Sequence, residues 1–250
     1  MNDFNGFRVF ITGATGQLGS QIVKQFINAG ASVACWGRNE QKLNQLVGEV
    51  EAQSGSSRCV AVYGSVQSQQ QADELIGKVE QTLGHIDICV NCMGNAEDKP
   101  FIFHDAQDVS QSLQANLFPM VRVCQSVSQH MIARQQGSIV NISSITGMVG
   151  QPMRSLYGAS KSAVIAYSKS LARRIAVHGV NVNCLAPQVV AGGLATQMNP
   201  LMKQTLESLT PVPRECTADD LVAPIFMLAK QSGGFITGEV IKVTGGLITW

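Results

Sequence analysis

Tyr157 and Lys161 stand four residues apart, so on a helix their side chains leave the same face. That spacing is weak evidence until its context is added. Ser143-Ser144 closes a strand-like run, a Gly-containing loop follows, and Tyr157 opens the next helical pattern. Hydroxyl groups and an amine are thereby set at the carboxyl edge of a parallel sheet, where open α/β sheets bind ligands. Near the amino terminus, Thr12-Gly13-Ala14-Thr15-Gly16-Gln17-Leu18-Gly19 falls where the first strand turns into the first helix. Glycines there let the backbone approach a pyrophosphate, and the helix start supplies unpaired N–H groups and positive potential. The pattern predicts a dinucleotide site. At the end of the second strand, Gly37-Arg38 stands where an acidic residue would bond a ribose 2′-hydroxyl and repel a 2′-phosphate, which favours NADP over NAD.

The elements that must position these groups follow from short apolar runs alternating with longer amphipathic segments. Strands are expected at Arg8–Thr12, Ser32–Gly37, Cys59–Tyr63, Ile86–Asn91, Ser138–Ser143, Asn181–Leu185 and Val240–Val243. Helices are expected at Gly16–Ala29, Glu40–Ala52, Ser68–Leu83, Val109–Gln135, Leu156–His178 and Thr217–Leu228. Gly30, Gly84, Gly137 and Gly179 each follow a helical pattern and read as left-handed stops. Pro119 removes an N–H that would bond the Ala115 carbonyl and predicts a kink in the fourth helix. The expected fold is α/β: a doubly wound, Rossmann-type, seven-stranded parallel sheet with helices on both faces, in one domain over residues 1–250. The strandless stretch from Pro187 to Glu215 is a candidate substrate-binding loop or lid, with Met198, Leu201, Met202 and Leu206 as its apolar inner face.

Composition narrows the function classes. The chain has 250 residues, 45% of them hydrophobic, with 18 Lys+Arg against 17 Asp+Glu. That is enough apolar mass for a core without disulfides, and too even a charge balance for a nucleic-acid partner. Apolar runs fall short of the ~20 residues that span a bilayer, and the polar start from Met1 to Phe7 carries no export signal. Seven scattered cysteines fit reduced thiols in a cytoplasmic protein, with Cys89 and Cys92 read as core residues. His85, His104, His130 and His178 have no mutual metal-ligand spacing, so no metal is expected. Arg154, in the loop before Tyr157, reads as a solvated loop residue, the alternative being an anchor for a substrate carboxylate or phosphate.

Taken together, Ile139-Val140-Asn141-Ile142-Ser143-Ser144, Tyr157-Gly158-Ala159-Ser160-Lys161, Asn183 to Pro187 and Ile236-Thr237-Gly238 to Gly245-Gly246 resemble the single-domain short-chain dehydrogenase/reductase family, over nearly the whole chain. Among relatives the sequence is most similar to 3-oxoacyl-thioester reductases and related carbonyl reductases. The resemblance implies Asn116, Ser144, Tyr157 and Lys161 as catalytic residues, with Tyr157 as the acid, Ser144 holding the carbonyl oxygen, Lys161 on the nicotinamide ribose and Asn116 positioning a water. It further implies that Gly13, Thr15, Gly16, Gln17, Leu18, Gly19, Gly37, Arg38, Ser65, Val66, Asn91, Gly94, Tyr157, Lys161 and Pro187 meet the cofactor. Long helices like those from Val109 and Leu156 form dimers or homotetramers in relatives. A ketone accepting hydride develops charge on oxygen and needs a nearby acid. An ammonium ~4 Å from a phenol contributes up to about 4 kcal/mol at an effective dielectric of about 20, roughly three pKa units.

Several cofactor positions depart from the family pattern. Gln17 replaces a glycine, Asn91-Cys92-Met93-Gly94 replaces Asn-Asn-Ala-Gly, Ser65 replaces an acidic residue, and Gln188 follows Pro187 where glycine is usual. Two functions therefore compete: interconversion of a carbonyl and a secondary alcohol with NADP(H), or a cofactor-poor, noncatalytic member that binds a small molecule or a protein partner.

Overall fold

The computed structural model describes residues 3–230 and 232–249; Met1 and Asn2, the first two residues of the polar amino terminus, lie outside them. Seven strands, β1 (Arg8–Thr12), β2 (Ser32–Gly37), β3 (Cys59–Tyr63), β4 (Ile88–Asn91), β5 (Gly137–Ile142), β6 (Val180–Pro187) and β7 (Val240–Val243), form one sheet in the order β3-β2-β1-β4-β5-β6-β7. Every pairing is parallel. The helices are α1 (Gln17–Asn28), α2 (Glu40–Ser54), α3 (Gln69–Leu83), α4 (Ala106–Asn116), α5 (Phe118–Arg134), α6 (Thr146–Val149), α7 (Ser155–Ile175), α8 (Pro200–Leu209) and α9 (Asp219–Ala229). Strand order reverses between β1 and β4, and the crevice opened by such a reversal is where doubly wound sheets take ligands.

Side-chain alternation along β1 divides the core in two. Val9 and Ile11 pack on one face with Phe4, Phe26 of α1 and Phe226 of α9, whereas Phe10 packs on the other with Val127, Met131 and Val164 of α5 and α7. Phe4 contacts Phe26 and Phe226 with ring centroids 5.0 and 4.7 Å apart, which fastens the segment before β1 to two helices. A buried polar chain crosses the carboxyl ends of the strands. Thr12 Oγ1 donates to Asn91 Oδ1, Asn91 Nδ2 to Asn141 Oδ1, Asn141 Nδ2 to Ser168 Oγ, and Ser168 Oγ to the Val164 carbonyl. Each of these donors has an acceptor, which is what makes a buried polar network rigid rather than costly.

Three expectations are corrected. The helix expected from Val109 to Gln135 is two helices parted at Leu117 (φ −118°, ψ −59°), with Pro119 in the first turn of α5, a position where its missing N–H costs nothing. Gly137 does not stop that helix: Gln135 takes the left-handed conformation (φ 55°), while Gly137 opens β5 and leaves room for Met131, whose Sδ would lie 2.4 Å from an added Cβ. The segment 187–215 contains α8, capped by Asn199, whose Oδ1 accepts the Leu201 N–H at 3.0 Å.

Candidate active site

A cavity of about 770 Å³ opens at the carboxyl edge of the sheet. One end is the start of α1, Gly16 to Gly19; the other holds Ser144, Arg154 and Tyr157; residues of the segment after β6 roof it. The sequence of the β1–α1 turn is dictated by close approach. A Cβ on Gly13 would lie 3.0 Å from the Cys92 carbonyl, and one on Gly19 would lie 2.2 Å from the Gly13 oxygen. No side chain caps α1 at Gly16, so the first N–H groups of the helix and its positive end are left to whatever enters the cavity.

Tyr157 lies in the first turn of α7 and Lys161 one turn later. Lys161 is 3% exposed, and its Nζ donates to the carbonyls of Met93 at 3.1 Å and Ile142 at 3.0 Å. Burial brings its ammonium down to about 8. Nζ stands 5.9 Å from the Tyr157 ring centroid while held by the two carbonyls. Burial pushes the phenol above its ordinary value, and the Ser144 hydroxyl and the Arg154 charge pull it part of the way back. Asn116 ends α4 at the same corner, where its Oδ1 accepts the Asn95 N–H at 2.8 Å and its Nδ2 donates to the Ser112 carbonyl at 3.0 Å. Gly94 fits between the two groups: its Cβ would lie 3.1 Å from both Asn116 Oδ1 and Lys161 Nζ.

Arg154 is not a solvated loop residue. It is 5% exposed, its Nε contacts Asp98 Oδ1, and Asp98 Oδ2 accepts the Asn199 N–H at 2.7 Å. Three loops, after β4, before α7 and after β6, thus meet at one carboxylate. Nothing in the sequence pattern singles out Asp98, which lies 56 residues from Arg154.

A family model described as short chain dehydrogenase matches residues 8–203. The chain belongs to the short-chain dehydrogenase family. Nodulation protein G of Rhizobium meliloti (strain 1021) is 30% identical over 247 residues, covering 99% of each chain. The 3-oxoacyl-[acyl-carrier-protein] reductase of Chlamydia pneumoniae is 30% identical over 242 residues, 97% of each. A solved short-chain type dehydrogenase/reductase from Mycobacterium ulcerans superposes with a TM-score of 0.92 at 25% identity, covering 98% of this chain and 90% of the other.

As in other short-chain dehydrogenases, the sheet edge gathers residues distant in sequence. Gly16, Gln17, Leu18, Gly19, Gly94, Ser144, Tyr157, Lys161 and Pro187 line the cavity. Others of the expected set stand outside its wall. Asn91 is 2% exposed and committed to the polar chain between β1 and β5; Val66 is a core residue whose carbonyl accepts Arg122 Nη1 at 3.0 Å. Gly13, Thr15 and Gly37 shape the turn behind it, with Thr15 Oγ1 3.4 Å from a Cβ placed on Gly37. Arg38 and Ser65 are exposed, beyond the cavity wall. Lys42, which sequence pattern leaves unmarked, does line it, and so does Cys92, expected in the core and only half-buried; burial raises the Cys92 thiol to about 12. In the roof, Met198 is buried, Leu206 lines the cavity and Met202 Sδ accepts Gln151 Nε2 at 3.0 Å, but Leu201 is 74% exposed and faces outward. No helix among the described residues is long and apolar enough to cross a membrane.

Proposed function

We propose that the protein interconverts a carbonyl and a secondary alcohol with NADP(H), Tyr157 serving as proton donor in the direction of reduction. The observation that carries this reading is one continuous cavity with the uncapped, glycine-walled start of α1 at one end and the Ser144–Tyr157 pair at the other. The residues fit a nicotinamide dinucleotide: Gly13 and Gly19 leave the turn with no side chain at its closest approaches, and the helix start favours an anion. When bound, the reduced cofactor supplies a hydride to the carbonyl carbon. Ser144 holds the carbonyl oxygen by donating its hydroxyl proton into a hydrogen bond. The Tyr157 O–H gives its proton to that oxygen as charge develops. A phenol held above its ordinary value is protonated at neutral pH, which suits donation. Lys161 contributes by fixing the Met93 and Ile142 carbonyls and by placing a cation beside the ring.

Arg38 and Lys42, on either side of Glu40 at the start of α2, support the choice of NADP over NAD, since β2 itself ends without a carboxylate and two cations follow it. Following nucleotide absorbance with a panel of ketones, the ratio of kcat/KM for NADPH over NADH is expected to exceed ten; a ratio below one refutes the NADP assignment. The competing noncatalytic reading has the Gln17 contact with the roof in its favour. It wins if millimolar NADPH leaves the melting temperature unchanged.

The same reading extends to assembly and compartment. Self-association by two-fold symmetry is proposed through α4, α5 and α7, with the exposed Phe101, Ile102 and Phe103 beside α4 as apolar surface to cover. Light scattering at micromolar concentration would then report a dimer or tetramer. Six buried thiols suit the reducing cytoplasm.

A further inference from the structure

We infer that Arg154 is the recognition residue for a carboxylate on the substrate, so that the carbonyl or alcohol handled at Tyr157 belongs to a small oxo or hydroxy acid. The inference rests on the reductase reading above and names its substrate class. Arg154 lines the cavity although it is 5% exposed. Its ion pair with Asp98 uses Nε alone, and the second carboxylate oxygen of Asp98 is occupied by the Asn199 N–H. Nη2 has no hydrogen-bond partner and is closed off as the lining stands, so a ligand acceptor reaches it through a small displacement of that lining. A guanidinium N–H desolvated and left unpaired is costly unless a ligand supplies the acceptor.

Charge and backbone point the same way. The ionised side chains lining the cavity are Lys42, Arg154 and Lys161, and no Asp or Glu is among the lining residues; Asp98, behind the wall, offsets part of the Arg154 charge, and the balance of the lining favours anions. Lys42 and the α1 start lie toward the proposed cofactor end, whereas Arg154 lies beside Tyr157, close enough for its charge to act on the phenol. Met153, the residue that delivers Arg154 to this place, is left-handed at φ 68°, with its carbonyl accepting the Lys99 N–H at 2.8 Å. A non-glycine residue held there is strained, and such strain persists where surrounding contacts fix a functional geometry. A planar carboxylate also matches the donor geometry of guanidinium.

The test compares 2-, 3- and 4-oxo straight-chain acids with their methyl esters and with a neutral oxoacyl thioester, using NADPH and the full-length protein. For the best acid, kcat/KM is expected to exceed that of its ester by at least ~30-fold, mostly through KM. Arg154→Gln brings that ratio to within ~3 of unity, and Arg154→Lys recovers part of it. Because Arg154→Gln strands the Asp98 charge and risks unfolding, the Asp98→Asn/Arg154→Gln double variant is measured beside it. A second readout needs no turnover: the acid, and not its ester, raises the melting temperature of the nucleotide-mixed wild type. Ester or thioester reduced as well as the acid overturns the inference and leaves the reductase reading standing. Acids that stabilise the protein while no carbonyl is reduced keep the carboxylate site and sink the reductase reading. Neither reduction nor stabilisation sinks both.

Discussion

Gln17 bridges the cavity mouth to its roof: Nε2 donates to the Ala191 carbonyl at 2.7 Å, and Gly192, at φ +75°, comes so close that a Cβ would lie 2.1 Å from Gln17 Oε1. The glutamine thus ties the start of α1 to the segment after β6 on the side where a pyrophosphate is expected. A hydrogen bond of this kind is worth ~1 kcal/mol, about fivefold in an equilibrium. Gln17→Gly should therefore tighten NADPH about fivefold, read by fluorescence titration, and speed its association. Unchanged affinity in that variant means the tie is irrelevant to nucleotide entry.

Tyr157→Phe removes the proposed proton donor and little else. Loss of a positioned acid costs ~10²–10⁴ in rate, so kcat should fall by that factor while NADPH still raises the melting temperature as in wild type. Retention of more than a tenth of wild-type turnover would assign the acid to another group.

Gly94→Ala tests how tightly Lys161 and Asn116 are set. The new methyl has 3.1 Å to each polar atom, tighter than ordinary contact, and overpacking of this sort costs ~1–3 kcal/mol. Urea denaturation should show that loss, together with a drop in kcat as Lys161 Nζ is displaced. A variant with wild-type stability would show that the β4–α4 segment yields freely.

Alkaline pH should destabilise the fold through its thiols. Cys92 and Cys124 are raised by burial to about 12, and Cys184 and Cys216 to about 11, against an ordinary value of 9.0. Above pH 9 the unfolded chain releases protons that the native one keeps, so their contribution is complete below pH 9 and fades as pH climbs through the folded values. Lys161 opposes this. Lowered to about 8 from 10.5, it holds fewer protons folded than unfolded between those values, and adds stability there as pH rises. Urea melts at pH 8 and pH 10 should show wild type losing stability and Lys161→Met losing about 2 kcal/mol more. Equal losses would mean that the lysine is not desolvated as described.

The sheet and the wall of the cleft were legible because their signals are local. Short continuous apolar runs mark β1 to β7, and the spacing of Tyr157 and Lys161 survives intact on α7. What escaped was set by contacts between distant segments. Arg154 looks like any loop arginine until Asp98 and Asn199 arrive from two other loops, and the two carbonyls that hold Lys161 come from just past the end of β4 and from the end of β5. One omission had a local signal: Asn199-Pro200 is a capping residue followed by proline at the first helical position, the pattern that announces a helix. The break at Leu117 had its mark too, two residues on, in Pro119, which lacks the N–H that would bond the Ala115 carbonyl.

The polar chain from Thr12 through Asn91 and Asn141 to Ser168 makes the floor of this pocket stiff, since losing any link strands a desolvated amide or hydroxyl. Adaptation to a new substrate must then be absorbed overhead, where α8 and its flanking turns are held to the body by side-chain ties from Gln17, Asp98 and Gln151. Laboratory selection for altered substrates should accumulate changes between residues 188 and 209 and leave those four side chains untouched.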